Sequence, residues 1–157
     1  MKMQACLFPL FSCLTFAASL HADTKAPIDV SGYVDANVHV DISGLRAGVG
    51  QVVISVWDSE ENYLQTALLT KILPVESLDK GLLRVTFNGP LPRECVINAF
   101  YDINSNGELD TNWAGIPNEP VGITNNAKGR FGPPSYDDGK VIVSGHEQVF
   151  VITVDEV

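Results

Sequence analysis

An alternation of apolar and polar residues constrains the fold of this chain more than any other feature of its sequence. In VDANVHVDI (residues 34–42), every second side chain is apolar, and those between are polar or acidic. Because successive side chains of a β-strand point to opposite faces of a sheet, this pattern predicts a strand that is buried on one face. Further segments of strand length are QVVISVWD, GLLRVTFNGP, RECVINAFYD and KVIVSGHEQVFVITV. The chain is therefore predicted to be all-β.

The arrangement of these segments favours an antiparallel β-sandwich of about seven strands. QVVISVWD is apolar on both faces, which predicts a central strand. Asn88-Gly89-Pro90 is expected to end the strand in GLLRVTFNGP, and residues 144–147 are expected to join the last two strands. The segment 67–73 is ambiguous between helix and strand, and we interpret it as a strand.

The amino terminus predicts a secretory signal peptide over residues 1–22. It has one basic residue near its start, an apolar run over residues 5–20, and small residues before a cleavage site after Ala22. The run is too short for a comfortable membrane span, which needs about 20 apolar residues, so the mature chain is expected not to insert into a membrane. Residues 23–157 are then expected to form a single β-sandwich domain, in the periplasm or outside the cell.

Charge and cysteine content exclude several classes of partner and of fold. The chain has 19 acidic and 10 basic residues, and removal of Lys2 with the signal peptide leaves a net charge of −10. Such a surface repels nucleic acid and anionic lipid, so neither is expected as a partner. Cys95 is the single cysteine after residue 22, which excludes a disulfide framework and predicts a buried apolar side chain.

Residues 102–139 form a long segment without convincing periodicity, rich in glycine, proline and asparagine. Structureless connections longer than about 15 residues are uncommon in compact domains and are usually functional or disordered. Apolar and aromatic residues are spread along the whole segment, which argues against disorder. We therefore expect one long ordered loop, called the excursion below.

The excursion begins with DINSNGELD, whose spacing of oxygen-bearing side chains predicts a Ca²⁺ site. Calcium takes six to eight oxygen ligands, and the pattern D-x-[DN]-x-[DN]-G is that of a calcium-binding loop. Oxygens recur here at the first, third, fifth and ninth positions, with a glycine sixth, and the seventh position would offer its backbone carbonyl. The predicted ligands are Asp102, Asn104, Asn106, Glu108 and Asp110.

The calcium pattern is incomplete, because Trp113 occupies the twelfth position, where helix-loop-helix sites carry a bidentate glutamate. Asp137 and Asp138 are candidates for the additional ligand, and Glu119 is a third. The alternative is a plain polar turn, since Asp, Asn and Gly all favour turns. However, two carboxylates about 6 Å apart repel by roughly 3 kcal/mol at an effective dielectric of 20, which favours a cation between them. Zinc fits worse, because it prefers Cys and His ligands.

Three pieces of the excursion resemble a bacterial secreted family known as domain of unknown function 2141. They are the aromatic-Asp-x-Asn-x-Asn-Gly-x-Leu-Asp segment at Tyr101–Asp110, the Gly-Ile-Pro at 115–117, and Asn-Asn-Ala-x-Gly-x-Phe-Gly-Pro-Pro at 125–134. This resemblance implies a secreted β-sandwich of the transthyretin-like or immunoglobulin-like kind, with no established activity. Pro120-Val121-Gly122 departs from the family's usual glycine- and aromatic-rich stretch, so a pocket formed there would differ.

The DINSNGELD loop is also similar to calcium loops in B-type repeats of bacterial surface proteins, in which the metal stiffens the module. That similarity implies the same side-chain ligands: Asp102, Asn104, Asn106 and Asp110. The expected function is then a non-catalytic, calcium-stabilised protein with a structural or adhesive role in the cell envelope. No nucleophile–base pairing is visible in the sequence, so an enzyme is not expected.

A second hypothesis is a ligand-binding module. Arg130 lies in NNAKGRFGPP and could recognise a saccharide, a peptide or an envelope protein together with aromatic side chains. The candidate aromatic residues are Trp113, Phe131 and Tyr136. The alternative is that Arg130 pairs with Asp137 or Asp138 and has only a structural role.

Overall fold

The computed structural model describes residues 32–156, and the predicted signal peptide lies outside this range. These residues form eight β-strands, a short 3-10 turn and a one-turn helix. No helix among them is long and apolar enough to cross a membrane. In chain order the elements are β1 (Tyr33–Ser43), β2 (Gln51–Trp57), β3 (Leu69–Pro74), β4 (Leu83–Pro92), β5 (Glu94–Asp102), β6 (Val121–Ile123), the 3-10 turn (Thr124–Asn126), α1 (Tyr136–Gly139), β7 (Val141–Ile142) and β8 (Glu147–Thr153).

The strands form two sheets, which confirms the predicted all-β sandwich architecture. Sheet A has the order β4-β1-β8, and sheet B has the order β3-β2-β5-β6, with β7 also paired to β5. All pairs are antiparallel except β1 with β8, which run parallel. The pairing of β1 with β8 is the one departure from the predicted antiparallel arrangement among the strands of residues 32–156. A parallel neighbour requires a long connection, and β8 reaches β1 only after the chain has passed through sheet B.

The alternation in β1 is realised as predicted, because Ala36, Val38, Val40 and Ile42 all lie in the core between the sheets. One polar residue of the strand is buried as well. Asp41 pairs with Arg84 on β4 through two contacts of 2.7 Å, from Nε to Oδ1 and from Nη2 to Oδ2. The hydrogen bonds from this guanidinium lower the pKa of Asp41 despite its burial.

Sheet B is covered on both faces, and this explains why β2 is apolar on both. Val52, Ile54 and Val56 face the core between the sheets. Trp57 has the opposite orientation and belongs to a second buried cluster with Val96, Ile123 and Tyr136. Since Ile123 and Tyr136 come from the excursion, the excursion packs over the outer face of sheet B.

Some boundaries differ from those predicted. Strand β4 continues through Asn88-Gly89-Pro90 to Pro92, because it is an edge strand and has no outer neighbour that requires the missing proline N–H. The excursion contains β6, the 3-10 turn and α1, so it is not one continuous loop. The ambiguous segment 67–73 does form a strand, β3, as interpreted from the sequence.

Candidate metal centre

Asp102, the last residue of β5, organises the start of the excursion. Its side chain is fully buried, with 0% exposure. One carboxylate oxygen accepts hydrogen bonds from Nε2 of Gln51 at 2.8 Å and from the backbone N–H of Gly107 at 2.7 Å. The other accepts the backbone N–H of Asn106 at 3.2 Å. The carboxylate therefore fixes both the end of β5 and the turn that follows it.

The protonation state of Asp102 is set by two opposing effects. Burial is the largest single influence and raises its pKa, because a buried carboxylate loses its hydration. The hydrogen bonds from Gln51 and from the backbone of Gly107, Asn106 and Ser105 act in the opposite direction and together lower the pKa below its usual value. Asp102 is thus a buried carboxylate that is ionised at neutral pH.

The asparagine side chains of the loop point toward the second carboxylate, Asp110. Nδ2 of Asn104 lies 2.6 Å from Oδ2 of Asp110, and Nδ2 of Asn106 lies 3.3 Å from Oδ1. Oδ1 of Asn104 accepts the backbone N–H of Asn106 at 3.0 Å. Hydrogen bonds thus connect Asp102, Asn104, Asn106 and Asp110 within one loop, and their role as ligands of one ion stays a prediction.

Glu119 closes the loop from the far side. Only 5% of this residue is exposed, and its two carboxylate oxygens accept the backbone N–H groups of Ile103 at 3.0 Å and Asp110 at 3.2 Å. The sequence indicates Glu119 only as the third candidate for an additional ligand. The sequence did not reveal that Glu119 contacts both ends of the loop, or that Gln51 contacts Asp102. Neither residue shows a local pattern that predicts its partner.

The donor set of the loop fits a hard cation that prefers oxygen. No group of three His, Cys, Asp or Glu side chains within residues 32–156 is arranged to hold a metal ion. A cation here would therefore take its oxygens from the Asp102 and Asp110 carboxylates and from amide and backbone carbonyls, as Ca²⁺ does and Zn²⁺ does not. A half-turn of the Asn104 or Asn106 amide exchanges its nitrogen for its oxygen, so either side chain can present a ligand atom.

The other predicted ligands have different surroundings. The side chain of Glu108 is exposed, consistent with a contribution through its backbone carbonyl. Asp137 pairs with Nζ of Lys140 at 3.1 Å. Asp138 forms the capping box of α1 with Ser135, whose hydroxyl lies 2.6 Å from Oδ2 of Asp138. The side-chain contacts of both aspartates thus belong to the region of α1, whereas Glu119 contacts the loop itself.

The predicted aromatic residues fall into two different environments. Trp113 is 98% exposed at the tip of a short arm, where Asn112 caps the turn by accepting the backbone N–H groups of Ala114 and Ile116. Phe131 is also fully exposed. Tyr136 is instead buried in the second cluster, and burial raises its pKa. It is therefore not part of an exposed platform.

The tip that carries Arg130 and Phe131 has a constrained backbone. A Cβ atom at Gly129 would overlap the carbonyl oxygen of Gly132, so the turn closes only with glycine at position 129. Behind the tip, Tyr63 donates a hydrogen bond to the carbonyl of Pro134 at 3.2 Å. Among residues 32–156, no ion pair involves Arg130. The structure thus does not show the expected alternative pairing of Arg130 with Asp137 or Asp138.

Comparison with known proteins identifies a family but no characterised relative. A family model described as "Uncharacterized protein conserved in bacteria (DUF2141)" matches residues 40–150. This range includes β2 to β7, the candidate metal centre, the last four residues of β1 and the first four of β8. No curated protein and no solved structure matches the chain.

Proposed function

The chain belongs to the DUF2141 family of bacterial proteins, and we propose that it is a non-catalytic β-sandwich of the cell envelope whose 102–110 loop binds one structural Ca²⁺. The observation that carries this proposal is the network around Asp102 and Asp110. Asp102, a buried and ionised carboxylate at a strand end, accepts the backbone N–H of Asn106. The side-chain amides of Asn104 and Asn106 donate to the second carboxylate, Asp110. A doubly charged ion at this position would offset the repulsion between the carboxylates.

The surroundings of the loop support a structural role for the ion. Asp102 is tied to Gln51 at the start of β2, and Glu119 ties Ile103 and Asp110 together just before β6. A cation in the loop would therefore stiffen the junction of three strands. Binding only to the folded state stabilises it by about 2.7 kcal/mol when the free ion is at 100 times its dissociation constant.

The potential nucleophiles and bases support a non-catalytic protein. Burial raises the pKa of Cys95 to about 12, so its thiol is a poor nucleophile at neutral pH. His39 lies between Thr86 Oγ1 at 2.9 Å and Glu147 Oε1 at 3.2 Å, on the outer face of sheet A. These contacts to neighbouring strands explain the position of His39 without a catalytic role. Location in the envelope rests on the amino-terminal sequence, which predicts export.

Calorimetric titration of metal-stripped protein with Ca²⁺, combined with melting curves, tests the proposal. We expect saturable binding and a rise in melting temperature of several degrees. Asp110→Asn should abolish both effects, because it removes a carboxylate whose side chain contacts only the asparagine amides of the loop. Asp137→Asn, beside α1, is the matched control and should leave the calcium response unchanged. The absence of calcium binding by the wild-type protein, or an unchanged response of Asp110→Asn, would contradict the proposal.

The exposed tip supports a second candidate function, recognition of a saccharide, peptide or partner protein. Phe131 is fully exposed beside Arg130, on a turn that only glycine at position 129 can close. Aromatic residues and arginine are enriched in the buried parts of protein interfaces. Arg130→Ala and Phe131→Ser should abolish binding on a glycan or peptide array and leave the melting temperature unchanged. Binding that survives both substitutions would exclude the tip as the recognition site.

A further inference from the structure

The free edge of strand β8 is the least protected sheet edge in residues 32–156. Natural proteins block exposed edges with lysine, proline, very short strands or covering groups. Sheet B ends in β3, which carries Lys71 and Pro74, and in the strands β6 and β7, of three and two residues. In sheet A, β4 contains Pro90 and Pro92. Strand β8 has seven residues and contains neither lysine nor proline.

The direction of the backbone groups shows which residues of β8 face this edge. The N–H of Thr153 points away from β1, because it donates to Oδ1 of Asn126 at 2.9 Å. Backbone groups alternate in direction along a strand, so the N–H and C=O groups of Val151 and Val149 also point outward. Among the described residues, no hydrogen bond beyond the sheet ladders involves either valine.

The side chains of the same residues form an exposed apolar strip. Val149 is 50% exposed and Val151 is 52% exposed, both on the outer face of sheet A. Glu147 begins the strand and is held by His39 at 3.2 Å. Within residues 32–156, the edge therefore presents main-chain groups that have no hydrogen-bond partner. Its side chains favour strand pairing, and the one charged residue, Glu147, lies at its end.

We propose that this edge pairs with the same edge of a second copy of this chain, in an antiparallel arrangement with a two-fold axis at Val149. This register is self-complementary, because Val149 lies opposite the second copy's Val149 and Glu147 lies opposite the second copy's Val151. No like charges face each other across the pair. Residues 147–151 of each copy would exchange about six main-chain hydrogen bonds, extending sheet A into a six-stranded sheet across the dimer.

The self-pairing stops at the end of β8 that the excursion covers. A Cβ atom at Gly122 would lie 2.5 Å from the carbonyl oxygen of Thr153, so β6 lies close against the strand there. Five residues of each copy are then available, which is a small contact, and a weak dimer is expected. Both copies carry a formal charge of −9 in full-length form, so added salt should strengthen the dimer by screening their repulsion.

Sedimentation velocity of the purified chain over a concentration series up to the order of 100 µM tests the proposal. We expect a dimer whose population rises with concentration and with salt. Val149→Lys places two ammonium groups directly opposite each other and should weaken the dimer at least tenfold. Val151→Lys places its ammonium opposite the second copy's Glu147 and should retain the dimer. Ile72→Lys, on β3, is the control for an exposed apolar residue of another edge and should also retain it.

Several results would overturn the proposal. One is a wild-type chain that sediments as a monomer at every concentration, and another is a dimer unaffected by Val149→Lys. Loss of the dimer in Val151→Lys but not in Val149→Lys would refute the register. Amide hydrogen exchange distinguishes another occupant of the edge, since protection of Val149 and Val151 in a monomer would show that a segment of the same chain covers it.

Discussion

Substitution of Asp102 by asparagine tests whether this buried carboxylate holds the excursion to the sheet. The change keeps the shape of the side chain but removes its charge and replaces one acceptor oxygen by a donor. Three hydrogen bonds reach the carboxylate, from Gln51 and from the backbone of Asn106 and Gly107. Hydrogen bonds to a charged group contribute about 1.5–3 kcal/mol each, against about 0.5–1.5 kcal/mol for neutral pairs. After allowing for the regained desolvation energy, we expect a loss of about 2–4 kcal/mol.

Urea denaturation in the presence of a chelator measures this loss without any contribution from bound metal. The pH dependence provides an independent check. Because the pKa of Asp102 is lower in the folded protein than its ordinary value of 3.8, its ionisation stabilises the fold above that value. This contribution disappears as the pH falls through 3.8 and then through the folded pKa, so the difference between wild type and Asp102→Asn should narrow at acidic pH. A loss below about 1 kcal/mol at pH 7, or a difference independent of pH, would refute the reasoning.

Three further changes should have distinct outcomes. Gly50→Ala should lower the free energy of unfolding, measured by urea denaturation, by more than about 2 kcal/mol, because its Cβ would lie 2.5 Å from a backbone carbonyl oxygen at the end of β5. Gly48→Ala is the control: it also has a positive φ but lies in open space, so it should lower the free energy of unfolding by only about 1 kcal/mol. Arg84→Ala should lower the urea midpoint of unfolding at pH 7, because it removes the paired cation of the buried Asp41. The lowered pKa of that carboxylate means that the loss should shrink as the pH falls below about 4, which a pH series of unfolding curves would show. Cys95 should resist a thiol reagent at pH 8 until the protein unfolds, and rapid labelling of the folded chain would contradict its burial and raised pKa.

The strands of this protein could be predicted from sequence because each buries one face or both. Alternation identified β1, and the apolar run of β2 correctly indicated a strand covered on both sides. The parallel pairing of β1 with β8 could not be predicted, since strand order depends on contacts between residues about 110 positions apart, such as Ser43 with Thr153. The three-residue strand β6 was missed because it is too short to show a period.

Only some residues of the candidate metal centre could likewise be predicted from the sequence. The closeness of Asp102, Asn104, Asn106 and Asp110 could be predicted from their spacing within DINSNGELD, which is that of a short polar loop, while their binding of Ca²⁺ stays a prediction. Gln51 and Glu119 could not be assigned their roles, because each reaches the loop from another part of the chain. The sequence around Glu119 gives only a weak indication that this residue is buried. It is an acidic residue between Asn118 and Pro120, just before an apolar strand, and a buried carboxylate requires hydrogen-bond donors nearby.

These contacts give the excursion two separate anchors. Its first part is held by polar groups, with Asp102 at one end and Glu119 at the other. Its second part is held by aromatic packing, in which Tyr63 contacts Trp57 at 5.9 Å and Tyr136 at 5.8 Å between ring centroids. Removal of the proposed Ca²⁺ would act on charges and should therefore weaken only the polar anchor. The amide hydrogens of residues 103–119 should then exchange faster with solvent, while those of residues 121–139 stay protected. The chain around Trp113 can therefore lose order without exposure of the second buried cluster.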